Sequence, residues 1–241
     1  MNSDPVTRQN PFDDRLRENV ARVRERIVAA TERCGRALSE ITLIAVTKYV
    51  GHEEVRALVA AGCFDLGESR PQALWEKRPQ LPDQIQWHLI GHLQRNKVRR
   101  TLPIVASIDS VDSVRLAGAI DTEAAHLPRR MPILLEVNTS GDASKHGFAA
   151  DALQDALPRL AAYKHLEVRG LMTIAAREGG LPAARKNFSQ LRQLRDRLQT
   201  RCPAGVRLNE LSMGMSRDLE VAIEEGATQV RVGSALFEGV R

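Results

Sequence analysis

Eight short apolar runs separated by helical stretches constrain this chain more than any other feature. The runs lie at 41–47, 63–67, 85–90, 104–108, 132–138, 166–172, 208–212 and 229–233. Each has the length and aliphatic content of a strand buried on both faces, as strands of parallel sheets are. Between most of them apolar residues recur at helical spacing, as in Val55, Leu58 and Val59, in Leu153, Leu157 and Leu160, and in Phe188, Leu191, Leu194 and Leu198. A stripe of Leu16, Val20, Val23 and Ile27 precedes the first run and ends near Cys34 and Gly35. The stretches 69–78 and 94–102 are shorter and weaker. This alternation predicts a (β/α)8 barrel, and 241 residues suit one. An open doubly wound sheet is the competitor, but no GxGxxG opens a helix after the first run.

Residues 1–12, polar and interrupted by Pro5 and Pro11, read as a flexible tail, and 13–241 as a single domain. Lys and Arg exceed Asp and Glu by 35 to 30. An excess this mild, much of it arginine on helical stretches, fits a solvated surface better than a nucleic-acid footprint. Three widely spaced cysteines, without a CxxC, fit a reducing compartment and no disulfide framework. The first residues lack a basic region followed by an apolar stretch, and no window approaches about 18 consecutive apolar residues. The expectation is a cytoplasmic protein without a membrane partner.

In a barrel every strand delivers its last residues to one face, and the site is built there. The ends of the runs supply Lys48, Gly67-Glu68-Ser69-Arg70, Gly91-His92-Leu93-Gln94, Asp109-Ser110, Asn138, Met172-Thr173, Ser212 through Ser216, and Gly233-Ser234. Polar strand ends are common in themselves, so half of this set needs no function. Lys48 is the sharpest candidate. A lysine ending a buried strand either snorkels to water or presents a desolvated amine, which is the nucleophilic form that attacks a carbonyl. The last two loops suit an anion. Ser212-Met213-Gly214-Met215-Ser216 precedes a helix expected near Arg217, and Gly233-Ser234 opens a short terminal helix. Loops after strands 7 and 8 with a helix start form the usual phosphate site of this fold, and Arg231 would add a fixed positive charge. Taken alone, Ser216 and Ser234 read as ordinary N-caps.

His88 and His92 share an i, i+4 spacing, but no third ligand is apparent, so no metal site is expected. The basic cluster Asn96-Lys97-Val98-Arg99-Arg100 reads as a solvated helix end. No Gly-x-Ser-x-Gly elbow or paired-carboxylate motif is visible.

Longer strings carry a resemblance. They are Ile44 through Lys48, Gly67-Glu68, Trp87 through Lys97, Asn138 through Gly147, Arg169 through Ile174, Leu211 through Asp218, and Val230 through Phe237. From about residue 13 onward the chain resembles the pyridoxal 5′-phosphate homeostasis proteins, single-domain relatives of alanine racemase. The resemblance implies a barrel of the alanine-racemase N-terminal-domain type with pyridoxal 5′-phosphate as cofactor. It implies a lysine aldimine at Lys48, and phosphate contacts from Ser212, Met213, Ser216, Arg231, Gly233 and Ser234. Three positions depart from the family's pattern: Ser69 replaces an asparagine, Thr47 a serine, and Glu238 a glycine.

Two functions of different class follow. One is a binder that buffers the cofactor or hands it to apoenzymes. The other is an amino-acid racemase or related enzyme of the same fold. A racemase needs a base on each face of its substrate. The resemblance implies that the larger enzymatic relatives take the second base, a tyrosine, from an additional domain and a partner subunit. Tyr49 and Tyr163 offer no evident substitute, and the sequence stops at Arg241. The expectation is a monomeric binder.

Overall fold

The computed structural model describes residues 11–142 and 146–240. Most of the expected tail, residues 1–10, lies outside the described residues, as does Lys145. In chain order the elements are α1 (Pro11–Arg33), β1 (Thr42–Val46), α2 (His52–Ala60), β2 (Asp65–Glu68), α3 (Pro71–Lys77), β3 (Gln86–Leu89), α4 (Val98–Thr101) and β4 (Ser107–Val111). They continue with α5 (Val114–Ala124), β5 (Met131–Glu136), α6 (Ala150–Ala161), β6 (Leu166–Met172), α7 (Gly180–Gln199), β7 (Glu210–Ser212), α8 (Leu219–Glu224) and β8 (Gln229–Val232). A single 3₁₀ turn, Ser234–Leu236, follows.

The eight strands form a closed parallel barrel in sequence order. Closure falls between β1 and β8, with Thr42 opposite Gln229 and Ala45 opposite Val232. Continuous apolar runs such as Met131–Glu136 are buried at every position, because each wall strand faces both the barrel interior and the helical layer. Helix starts follow local chemistry. Glu54 accepts from the Gly51 N–H at 2.9 Å, Pro71 opens α3, and Ser113 accepts from the Leu116 N–H at 3.2 Å.

Of the boundaries that differ from the sequence reading, three have a clear local cause. α1 starts at Pro11, two residues before the expected domain edge, because proline is well suited to a first helical position. β4 begins three residues late, since Leu102-Pro103-Ile104 closes a 3₁₀ turn instead of extending. Asp109 and Ser110 are therefore inside the wall and fully buried, not at a strand end. α8 starts at Leu219, after a turn in which Asp218 accepts from the Met215 N–H at 2.6 Å.

α1 buries Leu16, Val20, Val23 and Ile27 against α8 and the terminal turn. Its polar residues tie down the late loops. Asn19 donates to the Leu236 and Glu238 carbonyls at 3.0 and 2.9 Å. Arg26 pairs with Glu220 at 2.6 Å and donates to the Ser216 carbonyl at 2.9 Å. Among the described residues no helix is long and apolar enough to cross a membrane.

Candidate functional site

The carboxyl ends of β7, β8 and β1 meet at the closure of the barrel, and most of the sequence candidates meet there. Arg231 is buried. It donates to the Ser212 hydroxyl at 2.7 Å and to the Thr173 carbonyl at 2.8 Å, and its own N–H reaches the Gly214 carbonyl at 2.9 Å. Burial pulls its pKa below the usual guanidinium range, while Asp109, Glu136 and Asp218 pull it back. The result is a fixed cation beneath the loops.

Ser212 and Met213 are fully buried and already paired. The Ser212 hydroxyl accepts from Arg231, and the Met213 N–H donates to the Gln229 carbonyl at 3.1 Å. Both belong to the layer below the surface. Gly214 turns the chain with φ +91, where a Cβ would overlap the Ala222 side chain, so only glycine fits. Ser216 does not act as the N-cap its sequence context suggested. Its hydroxyl accepts from the Gly233 and Ala235 N–H groups, each at 3.3 Å, and so stitches the two loops together. Ser234 is exposed at the start of the terminal turn. Gly233 lies against β1, where a Cβ would stand 3.4 Å from that of Val46.

Lys48 follows β1 by two residues and so reaches the same rim. Its side chain is exposed, with Nζ 5.0 Å from the centre of the Tyr49 ring. The desolvated amine expected from the sequence is therefore not found, because the strand ends at Val46 and Lys48 sits on the following turn. Its backbone is held from below. Arg70 donates to the Lys48 carbonyl at 3.2 Å, and buried Lys77 donates to the Thr47 carbonyl at 2.6 Å. Lys77 also pairs with fully buried Glu68 at 2.6 Å, and Glu68 accepts from the Ser69 N–H at 2.8 Å. Ser69, the departure from the family pattern, contributes its backbone here. Exposed Tyr49, Ile174 and Met215, following β1, β6 and β7, give the rim apolar surface beside the polar loops.

Lys77 and its partner Glu68 went unread in the sequence as a support for Lys48. Nothing local distinguishes a helical lysine that turns inward from one in water. The pair His88 and His92 is split by the fold. His88 is buried in the lower barrel, 3.0 Å from Asp65 and 2.9 Å from the Ser107 hydroxyl, whereas His92 stands on the opposite rim 3.0 Å from Asp112. Burial opposes charge on His88, but its hydrogen bonds to Asp109 and Asp65 prevail and push its pKa up to about 9.

The donor set fits a ligand with an aldehyde and a phosphate: a primary amine at one edge, and across the closure seam backbone N–H groups, two hydroxyls and a buried cation. This fold and rim define the alanine racemase N-terminal domain class, and the model of that family matches residues 13–240. Similarity narrows it further. The pyridoxal phosphate homeostasis protein of Aquifex aeolicus is 39% identical over 221 residues, covering 91% of this chain and 96% of the relative. The chain belongs to the pyridoxal phosphate homeostasis protein family. The structure of PipY from Synechococcus elongatus with PLP bound superposes with a TM-score of 0.81 at 34% identity, covering 92% of this chain and 99% of that one. An alanine racemase of Clostridium difficile shares the fold, with a TM-score of 0.72 at 16% identity, and this chain covers 56% of it.

Proposed function

We propose that this protein holds pyridoxal 5′-phosphate reversibly on Lys48 and serves the intracellular homeostasis of that cofactor by buffering it or handing it to apoenzymes. The observation that carries the reading is that exposed Lys48, following β1, and the linked Ser216 and Gly233–Ser234 loops, following β7 and β8, lie on one rim beside the β1–β8 seam. When bound, the cofactor supplies an aldehyde that condenses reversibly with a primary amine, and an anionic phosphate. Lys48 offers the amine. Ser216, Gly233 and Ser234 offer hydroxyl and N–H donors to the phosphate. Arg231 supplies positive charge from beneath, and Ser212 and Met213 hold the loop that carries these donors. Thr47, Glu68 and Lys77 fix the backbone from which Lys48 extends.

The site is open, and an accessible amine suits exchange of the cofactor with other proteins. We read residues 13–241 as one cofactor-binding unit working in the cytoplasm as a monomer, without nucleic acid. An exposed amine on an open rim favours holding over turnover, since a racemase needs a positioned base on each face of its substrate.

The test is the absorption spectrum of the purified protein with and without borohydride, followed by peptide mass mapping. The expected result is a yellow protein that bleaches on reduction and carries its label on Lys48. A label on Lys97 or Lys145 overturns the assignment. Pyridoxal without its phosphate should bind far more weakly, since charge-assisted contacts contribute about 1.5–3 kcal/mol each. A panel of L- and D-amino acids should show no Lys48-dependent turnover near about 1 s⁻¹, a rate that would restore the racemase reading.

A further inference from the structure

Across the mouth from Lys48, the ends of β3, β4 and β5 bring together a second set of donor atoms that the cofactor reading does not use. His92, Asp112 and His146 each offer one ligand atom, all within 4.8 Å of one another. His92 Nδ1 lies 3.0 Å and His146 Nδ1 3.8 Å from the same oxygen, Asp112 Oδ2. The two imidazole rings stack, 4.3 Å apart at 15°. We propose that His92, Asp112 and His146 form a binding site for a divalent transition-metal ion of the zinc type.

The donor set is the first argument. Two imidazoles and one carboxylate are the protein ligands of a three-coordinate zinc site whose fourth position is open. Imidazole nitrogen discriminates against magnesium and calcium, which take oxygen ligands. Geometry is the second. Zinc holds such ligands at about 2.0–2.2 Å, which in a tetrahedron sets them about 3.3–3.5 Å apart. The two histidine–aspartate separations bracket that spacing, and closing the site requires the stacked rings to turn out of parallel so that both nitrogen lone pairs meet one ion.

The backbone beneath the ligands is already fixed. The Ser110 hydroxyl donates to the Gly91 carbonyl at 2.7 Å, just before His92, and a Cβ on Gly91 would overlap the Ser69 backbone. Asp112 precedes the cap of α5, and its other oxygen accepts from the Ser113 hydroxyl at 3.0 Å. Such an outer hydrogen bond orients a ligating carboxylate. His146 stands two residues before Phe148, which pairs with the Glu136 carbonyl at 2.7 Å and the Asn138 N–H at 3.0 Å.

The site shares no residue with Lys48 or the phosphate loops, so its test is separable from theirs. Untagged, cofactor-loaded protein is dialysed against zinc and its bound metal counted, with affinity measured by competition with a chromophoric chelator. The expected result is one zinc per chain. It should be weakened about tenfold or more by His92→Ala and by His146→Ala, unchanged by Cys202→Ser, which removes a half-buried free thiol outside the site, and not displaced by millimolar magnesium. Both histidines are exposed, and circular dichroism with thermal unfolding checks the variants. His92→Gln and His146→Gln, closer in size, serve as a second pair. Substoichiometric zinc, or zinc retained at full affinity in both histidine variants, overturns the proposal.

Discussion

The two ends of this barrel are both polar, and they use polarity in opposite ways. At the amino end, a cavity of about 190 Å³ is lined by Thr42, Asp65, His88, Ser107, Arg169 and Glu210, among others. There the groups engage one another. His88 bridges Asp65 and the Ser107 hydroxyl, Ser107 donates to Asp109 at 2.5 Å, and Gln229 donates to Glu210 at 2.8 Å. At the carboxyl end Lys48 and Ser234 face solvent, and the backbone donors of Gly233 and Ala235 are held only by long bonds to Ser216. The cavity at the amino end is thus the structural end, and the open rim is where the proposed chemistry lies. What separates them is how far the polar atoms are already spent on each other: at the amino end most are, with Asp109 Oδ2 and Gln229 Oε1 left over, and a largely engaged network has little to offer a ligand.

The largest effect expected from that contrast is on the floor. His88→Ala leaves Asp65 and Asp109 without their shared partner. It should cost about 3–5 kcal/mol in denaturant unfolding while leaving borohydride-trapped cofactor at its normal stoichiometry. Equal loss of cofactor would mean that the two ends are not separate.

The same histidine gives the floor a pH signature. Its folded pKa of about 9 stands above the ordinary 6.5, so its stabilisation is complete below 6.5 and fades as pH rises through about 9. At 1.36 kcal/mol per pH unit the loss is on the order of 3 kcal/mol. Unfolding measured from pH 6 to 10 should show this decline in the parent protein and a flatter profile in His88→Ala.

On the rim the balance reverses. Gly214→Ala forces a side chain onto a left-handed backbone against Ala222, and should cost about 1–3 kcal/mol while sharply weakening the cofactor. Ser216→Ala removes one acceptor shared by two N–H groups, for about 1 kcal/mol, with a clear rise in the pyridoxal phosphate dissociation constant by fluorescence titration. Lys48→Ala has the smallest stability effect, within about 0.5 kcal/mol for an exposed side chain, yet should abolish covalent trapping altogether. If Lys48→Ala unfolds the protein, the rim is structural too and the comparison fails.

The barrel was legible because its period is carried by many residues at once, and every expected run contains or overlaps a strand. The shift at β4 came from a proline turn that an apolar window cannot distinguish from extended chain. The candidates around Ser212–Ser216 and Gly233–Ser234 stand together because they follow adjacent strands, which barrel order alone implies. What stayed hidden depends on pairing at a distance. Lys77 meets the Thr47 carbonyl only once α3 packs on β2, beside β1. His92, Asp112 and His146 follow three successive strands, so their spacing in sequence resembles no ligand motif. Lys48 marks the opposite failure. The residue was legible, but its solvation was not, because a strand ending two residues early decides whether an amine lies in the wall or above it.

Closure between β1 and β8 also sets an order of events. In the proposed site Lys48 is synthesised early and the loops assigned to the phosphate late, and no stretch between them brings the two together without the final strand in place. On that assignment a chain still emerging from the ribosome cannot retain the cofactor, however soon its lysine is exposed. Long-range strand pairing of this kind is slow to form, so capture reports that the whole ring has assembled. Retention is therefore a test of completeness, and a protein that loses its last strand should release its cargo before it loses most of its helices.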